Sequence, residues 1–216
     1  MPKLKPETLE VRRTAILDAA EQCFARDGFH GASVQSICAE AEISAGAFYV
    51  HFDSKEQLIA GICERDRRQF ADRFQDLADA EDTITALGRL AENYLVDDAP
   101  HKRQLFVEIG AEATRNPEVR KLFKAVDSFV EDSFTALIEK LVQTGRASPA
   151  VDPRTAAKLI LIMGDGLFWR TAVLADPRFE EELPAVMATI GQILGTETTN
   201  SPTTDTVDKL SHEQMT

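Results

Sequence analysis

The chain has 216 residues, of which 44% are hydrophobic, so it can form one large or two small domains with a buried core. Its formal net charge of −12 at pH 7 excludes a polybasic coat that binds nucleic acid without specificity. Its three cysteines, Cys23, Cys38 and Cys63, lack the spacing of a metal site and fall on apolar helix faces. We expect reduced core residues, with a redox sensor as the alternative.

The ends and apolar runs of the sequence bear on localisation. The N-terminus is polar and charged, without the apolar segment of a signal peptide. The longest purely apolar run extends from Leu159 to Gly164, far short of a membrane span. We therefore expect a soluble, cytoplasmic protein that does not bind membranes.

The first segments are a polar arm and a helix. Residues 1–8 contain two prolines and are predicted to form a flexible arm. A helix is predicted next, because one face carries Ile16, Ala19, Ala20, Cys23 and Phe24. Gly28 follows where a left-handed C-cap is expected.

The pattern over 31–58 predicts two short helices joined by a tight turn. The apolar face of the first helix is formed by Val34, Ile37, Cys38 and Ala41. Ser44 can cap the second helix, which directs Phe48 and Phe52 inward. A helix, a turn and a second helix with small residues at its start fit the major groove of DNA.

A longer helix is predicted to begin at Ser54, which forms a capping box with Gln57, and to continue to about Ala80. Its inner face is predicted to carry Ile59, Ile62, Phe70 and Phe74. Its outer face is predicted to carry Arg65, Arg67, Arg68 and Arg73. This helix is predicted to connect the first three helices to the rest of the chain.

Further amphipathic segments predict helices over about 82–97, 101–115, 117–145, 153–174 and 179–195. The segment at 153–174 is apolar nearly all round and must therefore be buried on two sides. With the last helix it fits a symmetric four-helix dimer interface, for which we select Ile160, Leu167, Val186, Ile190 and Ile193. The tail at 196–216 is rich in Thr, Ser and Asp and is predicted to be disordered.

These patterns contain no strand signals, so the predicted fold class is all-α. We expect an N-terminal three-helix helix-turn-helix domain over 9–53. A larger helical domain over 54–195 is expected to bind a ligand and to dimerise.

The sequence resembles the tetracycline-repressor (TetR) family of bacterial one-component transcriptional regulators. The resemblance extends from Arg12 to about Gly61 and is carried by Ala32–Ile37, by Ser44–Tyr49 and by the phrase Phe48-Tyr49-x-His51-Phe52-x-Ser54-Lys55. The remaining two thirds agree only in length and helical character. The resemblance implies a homodimer that binds double-stranded operator DNA, most often as a repressor, and is released by a small effector. It further implies that the effector shifts the connector helix and so changes the distance between the two DNA-binding domains.

Candidate DNA contacts follow from the motif. Ser33 and Ser44 are predicted helix caps near DNA, and Ser33 either approaches a phosphate or acts as a cap alone. Gln35 can pair with adenine or contact a phosphate, unless it is simply solvated. Ala45, Gly46 and Ala47 cannot read bases by side-chain hydrogen bonds, which leaves close backbone approach and methyl contact with thymine.

Other contacts are implied by the resemblance. It assigns Tyr49 and His51 to the sugar-phosphate backbone, although each could instead be a core or surface residue. Lys55 stands at a helix N-terminus and is predicted to clamp a phosphate. Glu42 occupies the turn position where the family usually has glycine, so we expect either a shifted turn or modest, salt-sensitive DNA affinity.

The C-terminal half shows no catalytic constellation, and its scattered histidines argue against a zinc site. Asp165 interrupts the most apolar helix and could face a pocket, pair across a dimer or lie at an exposed rim. The candidate pocket residues are His101, Phe106, Phe129, Asp165, Phe168 and Trp169, with plain core packing as the alternative for the aromatic ones. The buried polar candidates that could orient a ligand are few: His101, Glu108, Tyr94, Asp165 and Arg170. A mainly apolar pocket with these few polar groups favours a hydrophobic or amphipathic effector, and we expect no metal or cofactor.

Two competing hypotheses remain at this stage. One is a helical small-molecule-binding protein or enzyme that keeps an unused helix-turn-helix, which the acidic residues 1–60 and Glu42 support. Residues 1–60 contain six basic against nine acidic side chains. The other is a regulator that responds to oxidation through its cysteines.

Overall fold

The computed structural model describes residues 6–75, 77–174 and 179–196, and every regular element in this part is helical. The all-α prediction is therefore confirmed. The helices are α1 (Pro6–Gly31), α2 (Val34–Glu40), α3 (Ala45–Phe48), α4 (Lys55–Phe74), α5 (Thr83–Glu92), α6 (Pro100–Ala113), α7 (Pro117–Gln143), α8 (Pro153–Leu174) and α9 (Phe179–Leu194). A 3-10 turn at Leu77–Asp79 precedes α5, and a π-helical turn at Asn93–Asp97 extends it.

Several helix ends follow local capping chemistry. The Asn116 side chain accepts hydrogen bonds from the Glu118 and Val119 amides, and Pro117 occupies the first turn of α7. The Asp152 carboxylate caps α8 by accepting from the Thr155 amide at 3.1 Å. α7, α8 and α9 therefore end within two residues of their predicted limits.

The predicted terminal segments and the connector helix differ from what the structure shows. α1 begins at Pro6, inside the predicted arm, while residues 1–5 lie outside the described part. Nearly all of the predicted tail, 197–216, also lies outside it. α4 ends at Phe74 rather than near Ala80.

The buried side chains form two clusters. The first joins α1 and the short helices α2 and α3 to the first half of α4, and it extends to Leu105 and Ile109 of α6 and Val119 of α7. Its apolar core therefore reaches well beyond residue 53. The second cluster joins α5, α7, α8 and α9, with Leu141 and Leu194 almost fully enclosed.

The α1–α2 corner, residues 28–32, holds the two parts together. Gly28 has φ 73°, and a Cβ at this position would lie 3.3 Å from Glu108 Oε1. The Phe29 amide donates to Glu108 Oε1 at 2.7 Å. Lys55 Nζ donates to the carbonyls of Phe29 at 2.6 Å and Ala32 at 3.0 Å. The corner is thus bound by one side chain from α6 and one from α4.

A second set of polar contacts supports the same junction. Glu112 of α6 is buried and pairs with His30 at 3.0 Å and with Arg115 at 2.7 Å. Arg65 of α4 pairs with Asp18 at 2.6 Å and with Glu21, both on α1. This corrects the prediction that Arg65 lies on an outer face, because its ion-pair partners cover it.

We expect Lys55→Met to lower the free energy of unfolding by about 2 kcal/mol, because two carbonyls at the corner lose their charged donor. Urea denaturation followed by circular dichroism measures the change. Lys121→Met is the matched control, since Lys121 is an exposed lysine on α7. If both substitutions cost the same, Lys55 does not stabilise the corner.

Candidate DNA-binding surface and ligand cavity

The helix-turn-helix is shaped by serine caps. Ser33 Oγ accepts from the Ser36 amide at 3.0 Å, and Ser36 Oγ accepts from the Ser33 amide at 2.9 Å. Ser44 Oγ accepts from the Ala47 amide at 3.2 Å and starts α3. These caps fix where each short helix begins and leave the first turns facing outward.

The proposed reading face lies on the surface. Ser33, Gln35, Ser44, Ala45 and Gly46 are exposed, whereas Ala47 is partly buried. In the turn after α3, Tyr49 is 56% exposed and Val50 is 70% exposed. Phe48 and Phe52 are buried beneath them, as their spacing predicts.

Arginines of α1 add positive charge beside this face. The pKa of His51 is lowered mainly by its partial burial and, to a smaller extent, by the positive charges of Arg13 and Arg12. Its imidazole is therefore neutral at pH 7 and can offer an N–H rather than a charge. Arg13 lies over the Phe52 ring at 4.6 Å, while Arg12 is exposed. Arg12 is a candidate phosphate contact that the sequence analysis did not identify.

The Lys55 ammonium is not directed outward as a phosphate clamp requires. Both of its hydrogen bonds go to carbonyls of the α1–α2 corner, and it lies 4.6 Å from the centre of the Phe29 ring. The side chain is partly buried. Its geometry supports a structural role in place of the predicted phosphate contact.

Glu42 adopts the left-handed conformation that the family's usual glycine would favour. Its φ is 53°, and it is the non-glycine residue with positive φ in the described part of the chain. The Ile43 amide donates to the Cys38 carbonyl at 2.9 Å, which closes α2 in the usual way for a left-handed cap. The turn is therefore not shifted, and the exposed carboxylate remains beside the reading face.

A cavity of about 330 Å³ lies among α4, α5, α6, α7, α8 and α9. Of the predicted pocket residues, Phe106, Asp165 and Phe168 line it. Phe70, Leu90, Phe134 and Ile160 contribute further apolar walls. The cavity is thus mainly apolar, which is usual for small-molecule sites.

The other three predicted pocket residues lie elsewhere. Trp169 is 56% exposed on the outer side of α8. Phe129 packs edge-on against Phe70 with ring centres 6.1 Å apart, outside the cavity lining. His101 faces α1 and lies 3.1 Å from the Gln22 side-chain amide.

Two polar atoms within this lining are buried and form no hydrogen bond: Asp66 Oδ1 and Tyr94 Oη. Burial, reinforced by the neighbouring Glu21 carboxylate, raises the pKa of Asp66 to about 6. Burial also raises the pKa of Tyr94 to about 12. Tyr94 was among the polar pocket candidates selected from sequence, whereas Asp66 was not, because it falls on a helix without an unusual local pattern.

Asp165 and Asp127 lie at the cavity rim. Both residues are exposed, and both belong to the lining. Partial burial and the Asp127 charge raise the pKa of Asp165. Asp165 therefore faces the pocket and also lies at its exposed rim, which are two of the three environments considered for it.

The residues selected for a dimer interface face into the protomer. Ile160 and Ile190 are buried and line the cavity, and Leu167 and Val186 line it as well. Ile193 is partly buried against the second core cluster. The exposed apolar face of α8 instead carries Leu159, Ile162, Trp169 and Val173. Sequence periodicity could not distinguish these two faces, since α8 is apolar nearly all round.

The cysteines lie in the core. Cys23 and Cys38 are buried, and Cys63 is partly buried in the cavity wall. Burial raises the pKa of all three thiols, to about 12 for Cys63. Raised pKa values disfavour the reactive thiolate, so the geometry argues against the redox-sensor alternative.

None of the helices in the described ranges is both long and apolar enough to cross a bilayer. No three His, Cys, Asp or Glu side chains in the same ranges come together as a metal-ion site.

A capped helix-turn-helix attached to a helical domain with an apolar cavity defines a ligand-responsive DNA-binding regulator. The family described as "Bacterial regulatory proteins, tetR family" matches residues 16–62. The family described as "BetI-type transcriptional repressor, C-terminal" matches residues 83–194. The chain belongs to the TetR family of transcriptional regulators.

Individual relatives agree with this assignment. The transcriptional regulator UidR of Escherichia coli strain K12 is 33% identical over 171 residues, which cover 78% of this chain and 83% of UidR. The nicotine-responsive repressor HdnoR of Paenarthrobacter nicotinovorans is 27% identical over 175 residues, covering 79% and 89% of the two chains. The solved structure of Salmonella enterica GusR has 29% identity and a TM-score of 0.73, and covers 85% of this chain and 95% of its own.

We expect Glu42→Gly to increase both thermal stability and DNA affinity. Glycine removes the strain of the left-handed conformation, but it also increases the conformational entropy of the unfolded chain. The net gain in the free energy of unfolding should be up to about 1 kcal/mol, which raises Tm by about 2–4 °C. Removing the carboxylate should strengthen binding to an operator selected from random DNA. Glu42→Gln is the control, and it should strengthen binding without raising Tm. Equal Tm values for the wild type and Glu42→Gly would show that the turn is unstrained.

Proposed function

We propose that this protein is a homodimeric, cytoplasmic transcriptional repressor that a small hydrophobic or amphipathic effector releases from operator DNA. The DNA contacts are assigned to Ser33, Gln35, Ser44, Ala45, Gly46, Ala47, Tyr49 and His51, with Arg12 added at the phosphate backbone. The exposure of most of these residues supports the assignment. Phosphate contacts supply affinity, and Gln35 supplies base preference.

The observation that carries the proposal is that two helices line the cavity and also hold the α1–α2 corner. α6 presents Phe106 to the cavity and Glu108 to the Phe29 amide. α4 presents Phe70 to the cavity and Lys55 to the corner carbonyls. An effector that moves either helix therefore acts directly on the segment that precedes α2.

The consequence for DNA binding is geometric. A dimer must place two reading helices about 34–36 Å apart to reach successive major grooves. A small rotation of the helix-turn-helix about the α1–α2 corner in each protomer changes the distance between the two reading helices. An effector that prefers the rotated state lowers DNA affinity by its differential affinity for the two states.

The dimer is assigned to the exposed faces of α8 and α9. α8 offers the apolar side chains Ile162, Trp169 and Val173, spaced along one face. Beside it, α9 exposes the small residues Ala185 and Ala188, which permit close approach of a second copy. A self-complementary pair of helices of this kind fits a two-fold axis.

We expect Ile162→Glu to produce a folded monomer, because Ile162 is 66% exposed on the protomer surface. Sedimentation velocity and circular dichroism report the mass and the helical content. Ile190→Glu is the contrasting variant, and it should unfold the protomer because Ile190 is buried. A wild-type chain that sediments as a stable monomer at micromolar concentration would contradict the dimer.

We expect Gly164→Leu to block the effector cavity without disturbing the fold. Gly164 lines the cavity, and a Cβ built there meets no atom within 4 Å. The neutral dye N-phenyl-1-naphthylamine should fluoresce in the wild type and weaken binding to the selected operator. Both responses should fall at least tenfold in Gly164→Leu.

Gly164→Ala is the matched control for helix propensity, because it adds one methyl group and leaves most of the cavity open. It should retain dye binding and DNA release. Dye binding that leaves operator affinity unchanged would show that the cavity does not regulate DNA binding.

A further inference from the structure

The cavity lining contains a carboxylate, Asp66, that is joined to no cation among the described ion pairs. Asp66 Oδ1 and Tyr94 Oη are both shielded from solvent, and neither has a hydrogen-bond partner within 3.5 Å. The Arg73 guanidinium lies 4.6 Å from the centre of the Tyr94 ring, whereas no cation is paired with Asp66 among the described contacts. Leaving such groups unpaired is costly, and native structures contain few of them. Both atoms belong to side chains of the cavity lining, so a ligand in the cavity can form the hydrogen bonds that they lack.

The charges that face Asp66 do not supply a partner. Glu21 of α1 is paired with Arg65 of α4, and Asp98 is paired with Arg73 at 3.2 Å. Lys102 of α6 also lines the cavity, and its electrostatic effect favours ionised Asp66, but no ion pair joins the two among the described contacts. Arg65 and Arg73 are therefore already paired with other carboxylates, and Arg67, which also lines the cavity, lies 5.4 Å from the centre of the Phe129 ring.

The burial of Asp66 and the adjacent Glu21 charge raise its pKa to about 6, against the smaller opposing effects of Lys102 and Arg65. At pH 7.5 the carboxylate is still mainly ionised. It is thus a buried negative charge without a directly bound counter-ion, and its affinity for a cation is lost as pH falls through 6.

The rest of the cavity is suited to an organic cation. Phe106 and Phe168 pack with ring centres 5.2 Å apart, and Tyr94 lies 6.5 Å from Phe168. Aromatic faces attract an ammonium group as well as an apolar chain. At the rim, Asp127 and Asp165 place two further carboxylates where a ligand enters, which favours cations over anions.

We propose that the effector is an amphiphile with a protonated amine, which Asp66 and Tyr94 bind while its apolar part lies among the aromatic side chains. This inference rests on the proposed effector role of the cavity. The Asp66 carboxylate accepts an N–H from the ammonium group, and the Tyr94 hydroxyl oxygen accepts another.

The test compares octylamine, octanol and octanoate, which share one alkyl chain and differ in the head group. Affinity is measured by displacement of N-phenyl-1-naphthylamine from the intact protein at pH 7.5. Octylamine should bind at least tenfold more tightly than octanol, and octanoate should bind most weakly. The advantage of octylamine over octanol should shrink by at least threefold between pH 7.5 and pH 5.5, as Asp66 takes up its proton.

Substitutions in the cavity identify the residues that bind the ammonium group of octylamine. Asp66→Asn keeps the shape of the side chain and should abolish both the preference for octylamine and its pH dependence, with a much larger loss of affinity for octylamine than for octanol. Tyr94→Phe should weaken octylamine more than octanol. Asp165→Asn is the matched control at the rim, and it should leave most of the preference intact.

Equal affinities for octylamine and octanol, or a preference that survives Asp66→Asn but not Asp165→Asn, would overturn the proposal. In either case, release of operator DNA by octanol would still support the effector role of the cavity. If octanol and octylamine both bind without affecting DNA, the proposed function fails instead.

Discussion

The α1–α2 corner is the constraint on which the relation between the two parts of this protein depends. Gly28 lets the backbone turn at φ 73°, with Glu108 of α6 only 3.3 Å from where a Cβ would lie. Glu108 then binds the Phe29 amide, and Lys55 of α4 binds the Phe29 and Ala32 carbonyls. The backbone amide and carbonyl groups of this corner thus form hydrogen bonds with side chains of α6 and α4, the helices that line the cavity. These contacts join α6 and α4 directly to the segment that precedes α2, without an intervening linker.

Local features of this chain could be predicted from sequence, whereas features that depend on distant partners could not. The limits of α7 and α8 follow from Pro117, Pro153 and their caps, which act within one turn. At Glu42 the sequence left open whether the turn is shifted, and its φ of 53° shows that the turn keeps the left-handed conformation. The inward hydrogen bonds of Lys55 could not be predicted, because their acceptors are 23 and 26 residues away in the chain. The partners of Arg65 are 44 and 47 residues away, so helical periodicity alone assigned it to solvent.

The cavity lining contains buried polar atoms without partners. Glu112, by contrast, is buried and paired with His30 and Arg115. In the described part of the chain, Arg65 Nε is the one such atom outside the lining, and the other two guanidinium nitrogens of Arg65 pair with Asp18 and Glu21. Asp66 and Tyr94 each place a buried polar atom without a hydrogen-bond partner in the cavity lining, and such an arrangement costs stability. Such local violations are typical of binding sites, where the ligand supplies the missing interaction. Sequence patterns identified Phe106, Phe168, Asp165 and Tyr94 as pocket residues but not Asp66, because its burial depends on helices that are distant in the chain.

Hydrogen exchange across residues 28–36, followed by mass spectrometry with and without saturating octylamine, tests most directly whether the cavity is coupled to the corner. Octylamine is expected to change protection in this segment of the wild type, although the segment does not line the cavity. In Glu108→Ala the change should disappear, because the link between α6 and the Phe29 amide is lost, while protection of α8 by octylamine should persist. A change confined to the cavity helices in the wild type, with residues 28–36 unaffected, would contradict the account.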